Sequence, residues 1–261
     1  MSAGVFQLPG TWRIRLLAVL KWLVLVVPMW VALKRLGHSP WLFWALVLSL
    51  VAFSAMRAWE TSQRRQFIRE ARLPAFLAVK LRQQYPQLSA ADADLVLRGL
   101  RQFFIAHVRS GRRFVAMPSQ VVDFAWHEFI LHTRAYEQWC RTAFGKLLHH
   151  TPAEVLGRDP KRNDGLRRTW YWACKEESID PRQPSRLPLL FALDKKFNIV
   201  GGYSYVPDCS DIDRHSGSAT YCGTSFGDAS GGGGDADGFG GSDGGDGGAD
   251  GGSDGGGCGG D

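Results

Sequence analysis

The 261-residue sequence has no Cys-x-x-Cys pair, no Gly-Lys-Ser/Thr phosphate loop, and no Lys, Arg or Glu after Gly223. The five cysteines (Cys140, Cys174, Cys209, Cys222 and Cys258) are odd in number and far apart, which makes a poor disulfide framework. Without a phosphate loop, and with its glycines outside any strand-to-helix turn, the chain offers no nucleotide site. Strand signals are scarce. Phe114–Ala116 and Tyr203–Val206 are the short candidates, so the chain is predicted to be mainly α. Two long apolar runs lack the polar residues that a soluble core helix carries at every third or fourth position. No small-residue cleavage site follows the first run, which excludes a signal peptide. The runs also lack a polar stripe, so they give no support for a pore.

Those runs, Leu16–Leu33 and Trp41–Met56, are separated only by residues 34–40. A helix needs about 20 residues to cross roughly 30 Å of hydrocarbon, and about 17 suffice. Backbone polar groups must be satisfied within the segment, so two helices joined by a tight loop are predicted. Residues 1–59 therefore read as a transmembrane hairpin, with spans over about 16–35 and 41–58. Trp12, Trp30, Trp41, Trp44 and Trp59 cluster at the span edges, where indoles favour the headgroup level. Lys21 lies inside the first run and is expected to snorkel outward. Arg13 and Arg15 precede the first span and Arg57, Arg64, Arg65, Arg69 and Arg72 follow the second, whereas the loop has Lys34 and Arg35. This bias predicts a multi-pass protein of the cell (inner) membrane with both termini cytoplasmic. Thiols are then expected to be reduced, and Cys209 and Cys222 would pair only outside the cytoplasm.

Residues 60–210 are mixed in character and read as one helical domain, followed by a tail over 211–261. From Gly223 onward the chain is almost wholly Gly, Asp, Ser and Ala, which cannot bury enough apolar surface to offset ordering entropy, so this tail is predicted to be disordered. Its eight aspartates, taken from a net charge of +6, leave +14 on the rest. A basic body beside a membrane selects the bilayer and anionic lipid headgroups as partners, through Arg57, Arg64, Arg65, Arg69 and Arg72. Protein partners are also compatible with it, and nucleic acid is not expected. Helix starts are legible at Ser89 with Asp92, a capping box, and at Pro118-Ser119. The latter opens a helix expected from about Gln120 to Cys140. Further helices are predicted over 163–177 and 188–197, with a break near Pro74 after the second span.

Residues 117–152 hold four of the seven histidines. On a helix, Val122, Trp126, Phe129, Thr133, Tyr136 and Cys140 form one stripe, the expected core face, with Asp123 and His127 an i, i+4 pair on its flank. His127-Glu128 is not a zinc-protease motif, because the next histidine, His132, falls five residues on instead of four. A mixed N/O site remains available: Asp123 and His127 joined by His149 or His150 beyond the Gly145 break, suited to a divalent metal such as Zn. In the simpler account Asp123 orients His127, and His149-His150 caps a helix end.

Asp123, Trp126, His127, Leu131, Tyr136, Cys140, Phe144, Gly145 and His149 or His150 together resemble the core of glycine-rich-domain-containing proteins, and the Gly-rich tail agrees. Members often carry a second His two residues after the first, where this chain has Phe129. The resemblance implies a domain class and no reaction. Two functions are therefore expected from the sequence: a membrane-tethered, non-enzymatic interaction or scaffolding module, or a metal-binding protein or metal-dependent enzyme centred on Asp123, His127 and His149/His150.

Overall fold

A computed structural model of the protein describes residues 11–34, 40–150, 160–208 and 220–226. Among these residues the chain is mainly helical. The first two helices, α1 (Thr11–Lys34) and α2 (Pro40–Glu70), pack against each other, and both are long and apolar enough to cross a membrane. They are mostly uncovered: Val19, Trp22, Leu23, Leu48, Leu50 and Val51 all face outward.

The lower ends of these helices carry the rest of the molecule. Ile14 and Leu17 of α1 are buried against the domain, and Phe67 and Ile68 of α2 enter its core. Lys21 does not simply snorkel; it pairs with Glu60 of α2, and Glu60 also takes the Arg64 guanidinium through two bonds of 2.8–2.9 Å. Arg64 then donates to the carbonyl oxygens of Arg141 and Thr142, the open end of a distant helix. A largely buried ion triad thus bolts α1 and α2 to the domain. Breaking one member strands the others in low dielectric, at about 3–5 kcal/mol.

Helix α2 ends near Pro74 as expected, and α3 (Phe76–Gln84) follows. α4 (Ala90–Arg109) opens on the predicted capping box, with Ser89 and Asp92 each bonding the other's backbone N–H. The expected single helix from Gln120 to Cys140 is two. α5 (Gln120–Leu131) stops at His132, whose ψ of 61° leaves the helical region, and α6 (Thr133–Ala143) restarts from it. The break rotates the stripe: Thr133 is exposed and Trp139 is fully buried. Phe103, Phe104, Phe129, Trp126, Trp139 and Phe144 meet in tilted and edge-to-face contacts that form the main core. Each such pair adds about 0.5–1.5 kcal/mol beyond area burial.

α7 (Pro160–Glu176) and α8 (Leu189–Lys196) complete the bundle. Phe114–Ala116 forms no strand, whereas β1 (Ser204–Val206) pairs in parallel with β2 (Thr220–Cys222), with Tyr205 opposite Tyr221. The folded unit therefore runs past residue 210. Phe226 packs on Trp170 and Phe191, and a Cβ on Gly223 would stand 2.3 Å from the Trp170 ring and 2.7 Å from the Pro207 carbonyl oxygen. Gly223 thus belongs to the core, where no side chain fits. The remainder of the expected disordered tail, 227–261, lies outside the described residues. Cys140 and Cys174 are free and buried, and burial pushes their thiols up to about 11 and about 12, as inert core residues. Cys222 is disulfide-bonded, against the expectation of reduced thiols.

Candidate metal centre

α5 presents Asp123 and His127 one turn apart, and their i, i+4 contact forms: His127 Nδ1 lies 3.3 Å from Asp123 Oδ2 and 2.9 Å from the Asp123 carbonyl oxygen. Because a carbonyl only accepts, Nδ1 carries a proton and donates to it, and Nε2 makes no part of this contact. The chain after α6 returns over this face. Gly145 turns it at φ +83°, in the left-handed region that favours glycine. Tyr136 then holds it, donating its hydroxyl to the Leu148 carbonyl oxygen at 2.6 Å while accepting from the Trp126 indole at 3.0 Å. Desolvation by burial pushes the Tyr136 hydroxyl far above the ordinary phenol range, so it stays a donor.

This clamp delivers His150. Its Nε2 lies 2.9 Å from Asp123 Oδ1, and its ring rests on Trp126 and, at 4.2 Å between centroids, on His127. Asp123, His127 and His150 each place a donor atom within 4.8 Å of the others. Around a tetrahedral ion with bonds of about 2.0–2.1 Å such atoms stand roughly 3.4 Å apart, so a small side-chain contraction closes the site. His149 is exposed and outside the cluster, and neither it nor His150 caps α6, which ends at Ala143. His132 points elsewhere, stacked on Phe76, and Glu128 faces Lys80 at 4.0 Å. That leaves no zinc-protease arrangement. Gly223-Thr224-Ser225-Phe226-Gly227 has nucleophile-elbow spacing, but a three-residue strand and a single 3-10 turn are not the sheet-to-helix elbow that chemistry requires.

Two members of the cluster, Asp123 and His150, line a cavity of about 270 Å³ whose apolar wall includes Phe103, Phe114 and Trp126. Arg112, Arg113 and Lys146 stand on its basic side. Two residues the sequence gave no reason to single out shape this place. Asp194 of α8 is buried and accepts from Ser119 Oγ, the backbone N–H groups of Gln120 and Val121, and that of Tyr203, at 2.7–3.1 Å. It anchors the first turn of the helix that carries Asp123 and His127. His107 lines the same cavity, donating through Nδ1 to the Arg113 carbonyl oxygen at 3.1 Å, with Nε2 buried and unpartnered. Desolvation lowers its pKa to about 4.

That shift has a sign. The unfolded chain binds a proton near pH 6.5 and the folded one only near 4, so His107 contributes stability above pH 6.5 that is lost as pH falls toward 4. The loss is about 3 kcal/mol. We expect the thermal midpoint to drop across this window and the drop to shrink in His107→Gln, measured by pH-dependent melting of both proteins.

The basic residues expected at the membrane surface divide. Arg64 is buried in the ion triad and Arg69 pairs with Glu176, whereas Arg72 is exposed and Arg57 and Arg65 line a cleft beside α2.

Fold and site together define a class: a helical domain joined to two long apolar helices, with an Asp/His/His cluster beside a cavity. The chain belongs to the UCP032817-like family, whose model matches residues 63–226. That match corrects the resemblance to glycine-rich-domain proteins. Trp126, Tyr136, Cys140 and Phe144, which helped to carry it, are buried core-packing positions, and most of the Gly-rich tail falls outside the matched segment. No curated protein and no solved structure matches the chain. The family description names no reaction.

Proposed function

We propose that this chain is a membrane-anchored metal-binding protein whose hairpin α1–α2 sits in the bilayer and whose domain holds a transition-metal ion such as Zn²⁺ on Asp123, His127 and His150. The observation that carries this reading is the convergence of three donors, from α5 and from a separately clamped loop, beside a cavity. Three protein ligands would leave one position of a tetrahedral ion free for water or a small molecule. An entering ion would replace the His150–Asp123 hydrogen bond. The competing scaffold reading keeps the anchor and gives Asp123 only the task of orienting the two imidazoles. Metal analysis of the full chain, purified in detergent and dialysed, separates them: about one equivalent supports a metal centre, and none supports the scaffold.

Membrane insertion is supported by the uncovered apolar faces of both helices, far larger than a soluble monomer exposes. The flanking arginines favour both termini in the cytoplasm, and the Cys222 disulfide favours the opposite, oxidising side. On the charge bias, Cys258 in intact cells resists a membrane-impermeant thiol reagent and reacts after lysis. Reaction before lysis would place the domain outside.

A further inference from the structure

Where α2 leaves its apolar run, a second cleft of about 520 Å³ opens between it, the turn after α4, and α7. Phe53 and Ala58 line one end of it, and Arg57 and Arg65 lie on the same face of α2, at i+4 and i+12 from Phe53. Arg109, Arg112 and Trp172 close the other side. Arg109 shares Glu176 with Arg69 and stacks over Trp172 at 4.6 Å. Arg57, Arg65 and Arg112 form no ion pair among the described residues, and the acid acting on Arg112, Glu60, is itself paired with Lys21 and Arg64. Nε of Arg65, Nε of Arg112 and the indole N–H of Trp172 are buried donors with no acceptor. Each such donor costs about 1–3 kcal/mol if it stays unsatisfied. Water can take up N–H groups, but it does not neutralise three guanidinium charges gathered in one cleft.

From this we infer that the cleft is a binding site for the phosphate of an anionic phospholipid, with its acyl chain along Phe53 and Ala58. Phosphate oxygens accept from several guanidinium groups at once, in the forked geometry that arginine supplies. The apolar end distinguishes a lipid from a soluble anion, because only an amphiphile fills both halves. Repulsion fits this assignment: burial, with the neighbouring Arg64 and Arg57, holds the Arg112 guanidinium below its usual range despite an opposing pull from Glu60, a state that an anion in the cleft relieves. This inference rests on the hairpin's lying in the bilayer and is independent of the metal.

The test uses the full chain in neutral detergent, with phosphatidylglycerol or phosphatidylcholine added, read by native mass spectrometry and thermal melting. Phosphatidylglycerol is retained and raises the midpoint by about 5 °C at a hundredfold excess over its Kd, and phosphatidylcholine does neither. Arg57→Gln with Arg65→Gln abolishes the difference. Trp172→Phe, which removes a donor and no charge, weakens retention, and Arg72→Gln on the open surface leaves it intact. Equal retention of both lipids, retention unchanged in the double variant, or the same shift from inorganic phosphate overturns the assignment. Release of the chain from membranes by alkaline carbonate would instead overturn the hairpin reading itself.

Discussion

Replacing Asp194 by Ala removes about 3–5 kcal/mol of stability, among the largest losses we expect from changing a single buried polar residue. Its carboxylate collects four donors: the Ser119 hydroxyl and the N–H groups of Gln120, Val121 and Tyr203. Two of these belong to the open first turn of α5, whose N–H groups have no partner within the helix. Negative charge there also meets the positive end of the helix dipole. Alanine strands all four donors in a site closed to water, since Asp194 is only 3% exposed. Asn at the same place keeps the shape but turns an NH₂ group toward N–H donors, so it rescues little. Denaturation of the full chain in detergent measures the loss, and a change below about 1 kcal/mol would contradict the account. Because α5 carries Asp123 and His127, the same variant also weakens whatever the cluster binds.

The second large effect is on metal content. His150→Ala and Asp123→Asn each lower metal affinity by at least about 100-fold, more than loss of an outer-shell partner does. His127→Ala does the same. His149→Ala, adjacent in sequence but exposed and outside the cluster, leaves affinity unchanged. Calorimetric titration of Zn²⁺ into the dialysed proteins reads these differences. Loss in His149→Ala equal to that in His150→Ala would show that the clamp by Tyr136 does not select between the two. Binding preserved in Asp123→Asn would remove the carboxylate from the ligand set.

What the sequence made legible was local. The Ser89–Asp92 box, the Pro118-Ser119 start and the Asp123–His127 spacing are contacts within four residues, and each forms as read. The choice of His150 over His149 was not legible, because it depends on the Tyr136–Leu148 bond and on the Gly145 turn. Asp194 anchors a helix more than seventy residues away, and no spacing rule reaches that far. His107 looked like an ordinary core position at a helix end, and its unpartnered nitrogen exists only once the cavity does. The break at His132 was hidden because the apolar stripe continued almost in phase across it, and only the exposure of Thr133 and burial of Trp139 reveal the change. The lower reach of the fold, to Phe226, was obscured by the composition of the tail around it.

The Lys21–Glu60–Arg64 bolt has a consequence for biogenesis. Lys21 comes from α1, Glu60 and Arg64 from α2, and the carbonyls that receive Arg64 from residues 141 and 142. The last of these is synthesised long after both helices, so closing the domain waits on correct pairing of α1 with α2. Without that pairing Glu60 loses one of its two cations, and the guanidinium that meets the open end of α6 is held by one partner fewer.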